Sequence, residues 1–340
     1  MEHIVFGRTG LKVGRTGFGG IPIQRVTYDE STELLRKAYA SGINLYDTAN
    51  MYTTSEDRIG LALGDVRGNI VICTKTGARD ADTFNAHLAN SLEKLRTDYI
   101  DVYQFHLPPF VPRPGGEDGL YDAALRAKKE GKIRFIGISC HKRHLGPEAA
   151  ESGLYDVVQF PYSYISTEAE MAVAAVCEKR DVGVLGMKAL SGGIITNAKA
   201  AFAFLRQYGN IVPIWGLQHV WQLDEIISYE NNPPALDDGL LAVIEKDRKE
   251  LAGGFCRACG YCLPCQADII IPQAARMKFL LNRMLAEVFL TEEWQRNMRK
   301  IDGCTNCQQC KPRCPYGLDI PALLKEHQKY YFEAVAKVSG

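Results

Sequence analysis

Eight short apolar segments recur along the first two thirds of the chain, and stretches of helical periodicity separate them. Most of the segments are nearly continuous apolar runs, which is typical of parallel strands that helices cover on both faces. The patterns at 29–42 and 83–96 are two of the intervening helices, and a small hairpin closed by Thr9-Gly10 precedes the first segment. Eight strand–helix units in about 250 residues predict an α/β fold, a (β/α)8 TIM barrel. The predicted barrel strands are 15–20, 44–48, 70–76, 100–106, 133–139, 156–160, 182–188 and 211–216.

A doubly wound open sheet is the alternative arrangement for alternating strands and helices. Such a sheet usually carries a glycine-rich phosphate loop, G-x-G-x-x-G, directly after its first strand. The first predicted strand here continues into GFGGIP, at 17–22, which lacks that spacing. The barrel is therefore favoured.

The composition, the net charge and the lack of targeting signals together predict a globular protein in the cytoplasm. Hydrophobic residues make up 46% and charged residues 24% of the chain. The formal net charge is zero, so no basic excess indicates binding to nucleic acid or to an anionic membrane. The N-terminal sequence lacks the apolar core of a signal peptide, and no apolar run reaches the roughly 18 residues of a membrane-spanning helix. We predict a cytoplasmic location, with no membrane and no nucleic-acid partner.

Eight of the eleven cysteines lie after residue 255. In a reducing compartment, clustered cysteines indicate metal binding more often than disulfides. The linker at 251–254, Leu-Ala-Gly-Gly, directly precedes the first of them. These observations predict a barrel domain at 1–252 and a metal-binding domain at 253–340, in which 273–289 and 292–301 have helical character.

The cysteines fall into two groups with the spacing of an iron–sulfur motif. Residues 304–315, CTNCQQCKPRCP, follow C-x2-C-x2-C-x3-C-P. In bacterial ferredoxins the first three cysteines of this run bind one [4Fe–4S] cluster and the fourth binds another. Residues 256–265, CRACGYCLPC, share the opening spacing, but the last gap is one residue shorter and Gln266 replaces the proline. The predicted crosswise ligands are Cys256, Cys259, Cys262 and Cys314 for one cluster, and Cys304, Cys307, Cys310 and Cys265 for the other.

Two structural zinc sites are the alternative, since four-cysteine zinc sites also use C-x2-C pairs. Zinc sites usually pair two such knuckles, whereas each group here has three cysteines in a row at two-residue spacing. The spacing therefore favours a mainly helical domain with two [4Fe–4S] clusters over a colourless zinc domain.

Titratable residues stand at or just after the ends of three consecutive predicted strands. Asp47, Lys75 and His106 lie at these ends, and Tyr52 follows Asp47 by five residues. Packing alone rarely places a charged group at such a position. A phenol has a pKa near about 10, and a nearby ammonium lowers it, which makes the phenol a better proton donor. If the aspartate holds the lysine and the histidine orients a carbonyl oxygen, the four residues can protonate that oxygen as hydride reaches the carbon.

The motifs YDTANMY, CTKTG, YQFH, GIS and VVQFPYS, in that order along the predicted strands, resemble the aldo/keto reductase family over residues 1–250. The resemblance implies that Asp47, Tyr52, Lys75 and His106 form the catalytic tetrad, with Tyr52 as the proton donor. It also implies a nicotinamide dinucleotide, NAD(H) or NADP(H), at the C-terminal end of the barrel. The implied contacts are Ser139 and Gln159 at the carboxamide, Gly20 at the ribose, Met187 at the nicotinamide, and Lys188, Ser191, Gly192 and Gly193 near the pyrophosphate. The tail resembles the ferredoxin-like dicluster extension of one subgroup of the family.

Two positions depart from the pattern that the family often shows. Met187 stands where an aromatic ring often stacks on the nicotinamide, although a thioether can also pack on a ring face. After the eighth strand, Gln222 stands where an arginine often pairs with the 2′-phosphate of NADP. Without that arginine the main source of affinity for NADPH is missing, so NADH, another redox cofactor or electron donor, and no dinucleotide at all stay open.

The predicted function is that of an oxidoreductase which reduces a carbonyl, or oxidises an alcohol, of a small molecule. The two clusters are expected to exchange electrons with a redox partner protein or another cofactor. Hydride transfer moves two electrons whereas a cluster ordinarily passes one, so a flavin stays open as a bridge. The alternatives are a non-catalytic electron-transfer or docking module on a reductase scaffold, and an NAD(P)H-dependent reductase with purely structural metal sites.

Overall fold

The computed structural model describes residues 1–251 and 255–339, and the chain forms two compact units. The barrel unit comprises Met1–Ala189 and Lys199–Asp237. The C-terminal unit comprises Leu190–Ala198 and the described residues from Asp238 onward. The predicted domain boundary, between residues 252 and 253, lies outside the described residues.

Within the described chain, eight parallel strands close into a barrel. Each strand pairs with the next one in the sequence, and the last pairs with the first, with Ile214 opposite Gly17. The predicted (β/α)8 barrel and its eight strands are confirmed, and the doubly wound alternative is wrong. The strands are β1 (His3–Val5) and β2 (Lys12–Gly14) in an N-terminal hairpin, and β3 (Gly17–Gly19), β4 (Leu45–Asp47), β5 (Val71–Thr76), β6 (Ile100–His106), β7 (Ile133–Ser139), β8 (Val157–Pro161), β9 (Gly183–Met187) and β10 (Ile211–Gly216) in the barrel.

The N-terminal hairpin covers one end of the barrel. Strands β1 and β2 pair antiparallel, as predicted, and the turn between them includes Gly10, whose φ of 69° suits glycine. Phe6, in this turn, packs in an apolar cluster with the first residues of several barrel strands, among them Leu45 and Val157. Those residues mark the N-terminal end of the barrel, so the hairpin lies opposite the end at which barrel sites form.

A helix follows each barrel strand. The first begins after Thr27, whose hydroxyl accepts a hydrogen bond from the Glu30 N–H at 3.2 Å, while the Glu30 carboxylate accepts one from the Thr27 N–H at 2.7 Å. This reciprocal capping fixes where the helix starts. The predicted helices 29–42 and 83–96 are confirmed as α1 and α3. The helices are α1 (Tyr28–Ala40), α2 (Ser55–Leu63), α3 (Ala81–Leu95), α4 (Leu120–Lys129), α5 (Leu145–Ser152), α6 (Glu168–Lys179), α7 (Ala198–Arg206) and α8 (Val220–Asn231).

The C-terminal unit is mainly helical, as predicted. One apolar core joins its helices and includes Met277, Leu280, Met298, Leu324 and Tyr331, all nearly inaccessible to solvent. Helix α14 is the longest of the described helices, and the sequence analysis did not anticipate it. The helices are α9 (Asp238–Glu250), α10 (Ile271–Ala274), α11 (Met277–Arg283), α12 (Glu292–Arg299), α13 (Cys310–Arg313) and α14 (Ile320–Ser339).

The segment 273–289, predicted to be helical throughout, is instead broken into short pieces. The first break lies at Arg276, and the second at Met284, whose ψ of 176° is extended. The N–H of Lys278, in the first turn of α11, donates to Nδ1 of the buried His327 at 3.2 Å. A side chain 49 residues away thus caps the start of α11, which local periodicity does not reveal.

None of the described helices is long and apolar enough to cross a membrane. Even α14, with 20 residues, carries several charged side chains. The predicted cytoplasmic location stays a prediction.

Candidate functional site

Three strand ends bring titratable side chains to the C-terminal end of the barrel. Asp47 is the last residue of β4, Lys75 is next to last in β5, and His106 is the last residue of β6. Tyr52 lies in the loop between β4 and α2. Neighbouring parallel strands end at the same edge, so the order of the barrel alone accounts for this grouping.

Asp47 and Lys75 form a buried ion pair. The Lys75 ammonium donates to Asp47 Oδ1 at 2.7 Å, to Asp47 Oδ2 at 2.8 Å and to the Thr48 carbonyl oxygen at 2.6 Å. Only 1% of the Lys75 side chain and 4% of the Asp47 side chain are exposed. Burial by itself lowers the pKa of Lys75, but the charge of Asp47 and the Tyr52 phenol outweigh it, so that this pKa is raised. Lys75 therefore stays charged at neutral pH.

Tyr52 lies between the ion pair and His106. The Lys75 Nζ atom is 5.4 Å from the centroid of the Tyr52 ring, and the His106 ring lies 5.9 Å away, edge-on at 81°. Burial raises the pKa of Tyr52, Lys75 opposes this rise and Asp47 adds to it. Lys75 thus lowers the pKa of Tyr52 as expected, but the effect of burial on that pKa is larger. The phenol is protonated at neutral pH and has a cation beside it to stabilise the phenolate once the proton leaves.

His106 is a buried neutral imidazole. Burial, with the positive charges of Lys75 and Arg79, lowers its pKa to about 3. Its Nδ1 atom is buried and has no hydrogen-bond partner among the residues that the structure describes. A neutral ring with an unused nitrogen suits the orientation of a polar oxygen better than it suits proton donation at neutral pH.

Acid destabilises the fold through His106. An unfolded histidine has a pKa near about 6.5, so between that value and about 3 the unfolded chain binds a proton that the folded chain does not. Stability contributed by this group is therefore lost as the pH falls through that window. We expect the free energy of unfolding of the wild type, measured in urea, to fall more steeply between about pH 7 and about pH 5 than that of His106→Gln. Equal pH slopes for the two proteins would contradict this.

A buried amide network supports the ion pair, and the sequence analysis missed one of its members. Gln104 Nε2 donates to Gln159 Oε1 at 2.9 Å, and Gln159 Nε2 donates to Asp47 Oδ2 at 3.3 Å. Both glutamines are essentially inaccessible to solvent. The signal for Gln104 was a single polar residue inside the apolar strand that ends in YQFH. The network fixes the carboxylate that in turn fixes Lys75.

Five cysteines from both groups line one cavity in the C-terminal unit. Cys262 and Cys265 lie there with Cys304, Cys307 and Cys310, although at least 39 residues separate the two groups in the sequence. Burial raises the pKa of Cys310, and the thiols of Cys304, Cys307 and Cys265 raise it further. The cavity walls include Cys262, Cys265, Cys304, Cys307, Cys310, Pro321 and Leu324.

Two cysteines of the first group, Cys256 and Cys262, are buried. Burial raises the pKa of Cys256, and the thiols of Cys259 and Cys314 raise it further. Burial also raises the pKa of Cys262 to about 12, with Cys256, Cys259 and Cys314 adding to the effect. Cys314 thus affects the pKa of thiols in the first group, although it stands beside the second group in the sequence. Among the described residues, no three His, Cys, Asp or Glu side chains converge as a single metal ion would require.

Comparison with known proteins identifies the family. A sequence model of the aldo/keto reductase family matches residues 10–201, more than half of the chain. The chain belongs to the aldo/keto reductase family. A second model, that of a 4Fe-4S dicluster domain, matches residues 255–319. This aldo/keto reductase is therefore an oxidoreductase that carries an iron–sulfur domain.

The relatives of this aldo/keto reductase include plant and bacterial enzymes. L-galactose dehydrogenase of Arabidopsis thaliana is 27% identical over 263 residues, which cover 67% of this chain and 82% of the relative. The NADH-specific methylglyoxal reductase of Escherichia coli is 30% identical over 229 residues, with 58% and 69% coverage. An aldo-keto reductase from Bacillus halodurans superimposes with a TM-score of 0.64 at 20% identity, covering 73% of this chain and 96% of that structure. That last likeness supports the fold alone.

The residues expected to contact a dinucleotide fall in both units. Gly20, Ser139, Gln159, Met187 and Lys188 lie in the barrel unit. The Ser139 hydroxyl, at the end of β7, is buried and has no hydrogen-bond partner among the described residues, which fits a polar ligand group. The Gln159 amide, in contrast, is already bonded to Asp47 and to Gln104. The remaining expected contacts, Ser191, Gly192 and Gly193, lie in the C-terminal unit.

Gly20 has a packing role of its own. A Cβ atom there would lie 2.7 Å from Ser55 Oγ and 2.9 Å from the Asp47 carbonyl oxygen. The Gly20 N–H also donates to that Asp47 carbonyl at 2.7 Å. Glycine at this position therefore lets the chain approach the backbone of a tetrad residue, whether or not a cofactor is bound.

Gln222 has a structural task. Its side-chain oxygen accepts hydrogen bonds from the N–H groups of Gln218 at 2.8 Å and His219 at 3.0 Å. These bonds cap the N-terminus of α8. A neutral capping amide thus occupies the position where the family often has an arginine.

Proposed function

We propose that this aldo/keto reductase reduces the carbonyl group of a small molecule, or oxidises the corresponding alcohol, with Tyr52 as proton donor and acceptor. The observation that carries the proposal is the buried Asp47–Lys75 pair beside the Tyr52 ring. It keeps a positive charge 5.4 Å from the centroid of the ring that would carry the phenolate. This charge is fixed by three short hydrogen bonds, so little rearrangement is needed when the proton moves.

Each tetrad residue has one task in this proposal. Tyr52 gives its phenolic proton to the carbonyl oxygen, and Lys75 stabilises the phenolate that remains. Asp47 holds Lys75 in place, and the neutral His106 ring orients the oxygen. A nicotinamide dinucleotide, when bound, supplies the hydride to the carbon. In alcohol oxidation the same residues act in reverse.

NADH is the better fitting dinucleotide. The 2′-phosphate of NADPH needs a cation, and the amide that stands at the usual arginine position is used in capping α8. The name of the Escherichia coli relative, an NADH-specific methylglyoxal reductase, agrees with this preference. The same name favours a small aldehyde or ketone as substrate.

The C-terminal unit is proposed to hold two [4Fe–4S] clusters with crosswise ligands. One set is Cys265 with Cys304, Cys307 and Cys310, and its support is the cavity that these four line together with Cys262. The other is Cys256, Cys259 and Cys262 with Cys314, and its support is the influence of Cys314 on the buried thiols. A cubane holds its four thiolates farther apart than a zinc ion does, so the lack of a convergent single-ion site among the described residues also favours clusters. Such clusters pass single electrons.

Two other functions compete with this proposal. Purely structural clusters would leave carbonyl reduction to the dinucleotide alone, and the mismatch between one-electron and two-electron transfer favours that possibility. A non-catalytic electron-transfer or docking module would need no catalytic tetrad, so the grouping of Asp47, Tyr52, Lys75 and His106 supports catalysis over this alternative. The experiment is a turnover assay of small aldehydes and ketones with NADH and NADPH, using anaerobically purified protein. The proposal requires turnover by the wild type and its loss in Tyr52→Phe; equal turnover, or none in the wild type, would contradict it.

A further inference from the structure

The two sets of cysteines differ in their access to solvent. Cys256 and Cys262 are 7% and 6% exposed. Cys307 is exposed, and it belongs to the loop 305–309, all of whose residues are exposed. Electron transfer between proteins requires close approach, so the set that includes Cys307 is the more accessible of the two to an outside protein.

Helix α14 connects this cysteine set to a cationic surface. Pro321 and Leu324 of this helix line the cysteine cavity. Lys325 and Lys329, on the following turns, line a separate open hollow together with Arg299, Asp302, Gln328 and Phe332. Asp302 is two residues before Cys304, so the chain also links the hollow to the cysteine loop.

The cations of this hollow are not neutralised. Arg299, Lys325 and Lys329 are exposed, and in the described part of the chain none of them pairs with a carboxylate. The one acid in the hollow, Asp302, accepts a hydrogen bond from Gln328 at 2.8 Å. We call the three cations the basic surface.

The charge of the chain is also unevenly divided. Residues 255–340 carry 12 Lys and Arg against 8 Asp and Glu, a net charge of +4. The preceding residues carry 28 against 32, a net charge of −4. A zero total therefore conceals an excess of basic side chains in the C-terminal region, before the charge of any bound cluster is counted.

We propose that the basic surface docks an acidic one-electron carrier protein, which exchanges electrons with the centre held by Cys265, Cys304, Cys307 and Cys310. The inference rests on the proposed function, because it requires a cluster at those cysteines. A negatively charged carrier is favoured since opposite charges steer the encounter and set its orientation. In each encounter the carrier is oxidised by one electron and the cluster is reduced by one, and no bond is made or broken.

The test uses the cluster-loaded protein and a reduced, acidic plant-type [2Fe–2S] ferredoxin as the probe. The double variant Lys325→Glu/Lys329→Glu should lower the second-order rate of cluster reduction at least about tenfold at low salt. The difference between the rates of the wild type and the double variant should shrink as the ionic strength rises towards about 1 M, where the Debye length is only about 3 Å. Affinity for the gallium-substituted, redox-inert ferredoxin should fall in parallel.

The matched control is Lys246→Glu/Lys249→Glu, on α9 of the same unit. It changes the net charge equally but lies outside the hollow, and it should keep most of the wild-type rate. Equal effects of the two double variants, or none from Lys325→Glu/Lys329→Glu, would overturn the docking surface. Dithionite provides the independent arm, because it reduces clusters without docking. If dithionite produces no spectral change in the wild type, the cluster proposal itself fails, and the docking proposal fails with it.

Discussion

Tyr52→Phe should lower the turnover of small carbonyls by about 10²–10⁴-fold while leaving the fold intact. The substitution removes the phenolic proton of Tyr52, which lies beside the fixed positive charge of Lys75. General acid catalysis commonly contributes a factor of this size, which corresponds to about 3–5 kcal/mol of barrier. The Lys75–Asp47 pair does not depend on the phenol for its hydrogen bonds, so it should persist. The measurement is kcat at saturating concentrations of the carbonyl substrate and of NADH.

Tyr28→Phe is the control for this variant. Tyr28 lies at the start of α1, and its hydroxyl donates to Asp57 at 2.9 Å on the surface. Removing that hydroxyl should leave kcat within about twofold of the wild type, since exposed contacts contribute little. A Tyr52→Phe protein that also keeps its turnover would remove Tyr52 from the chemistry.

Cys265→Ser/Cys304→Ser should lose only one of the two clusters. In the crosswise arrangement both residues serve the same centre, so the iron content should fall from about eight to about four atoms per chain. If instead each cysteine group held its own cluster, this double variant would damage both centres. Iron and acid-labile sulfide, assayed after anaerobic purification, distinguish the two arrangements.

Cys256→Ser/Cys265→Ser is the complementary variant. Its two residues lie in the same cysteine group but belong to different centres in the crosswise arrangement. It should therefore lose most of the iron, whereas an arrangement within each group predicts the loss of one cluster only. If Cys265→Ser/Cys304→Ser lost most of the iron and Cys256→Ser/Cys265→Ser lost only one cluster, the cysteine sets would be assigned wrongly.

The barrel and the tetrad positions were predictable because they depend on local patterns. The barrel strands are apolar runs, and Asp47, Lys75 and His106 stand out as polar residues at their ends. The order of parallel strands then brings those ends together without any knowledge of side-chain contacts. Gln104 was missed because a single amide inside a strand gives no periodic signal, and its partner Gln159 comes 55 residues later.

The C-terminal unit was less predictable because its contacts are less local. Its cysteine spacing indicated iron–sulfur clusters, but the break before α11 depends on His327, far along the chain. The pKa of Tyr52 is another property that the sequence alone could not predict. The sequence predicted the lowering by Lys75 but could not weigh it against burial, which depends on the packed structure.

The most direct test of the central claim follows hydride from NADH to a small carbonyl. Anaerobic, cluster-loaded enzyme would be mixed with NADH and a small aldehyde or ketone, and the oxidation of NADH and the alcohol formed would be measured together. One hydride and one proton reduce one carbonyl, so the account predicts one alcohol for each NADH oxidised in the wild type, at a rate that falls about 10²–10⁴-fold in Tyr52→Phe. No NADH oxidation in the wild type, or an equal rate in Tyr52→Phe, would contradict it.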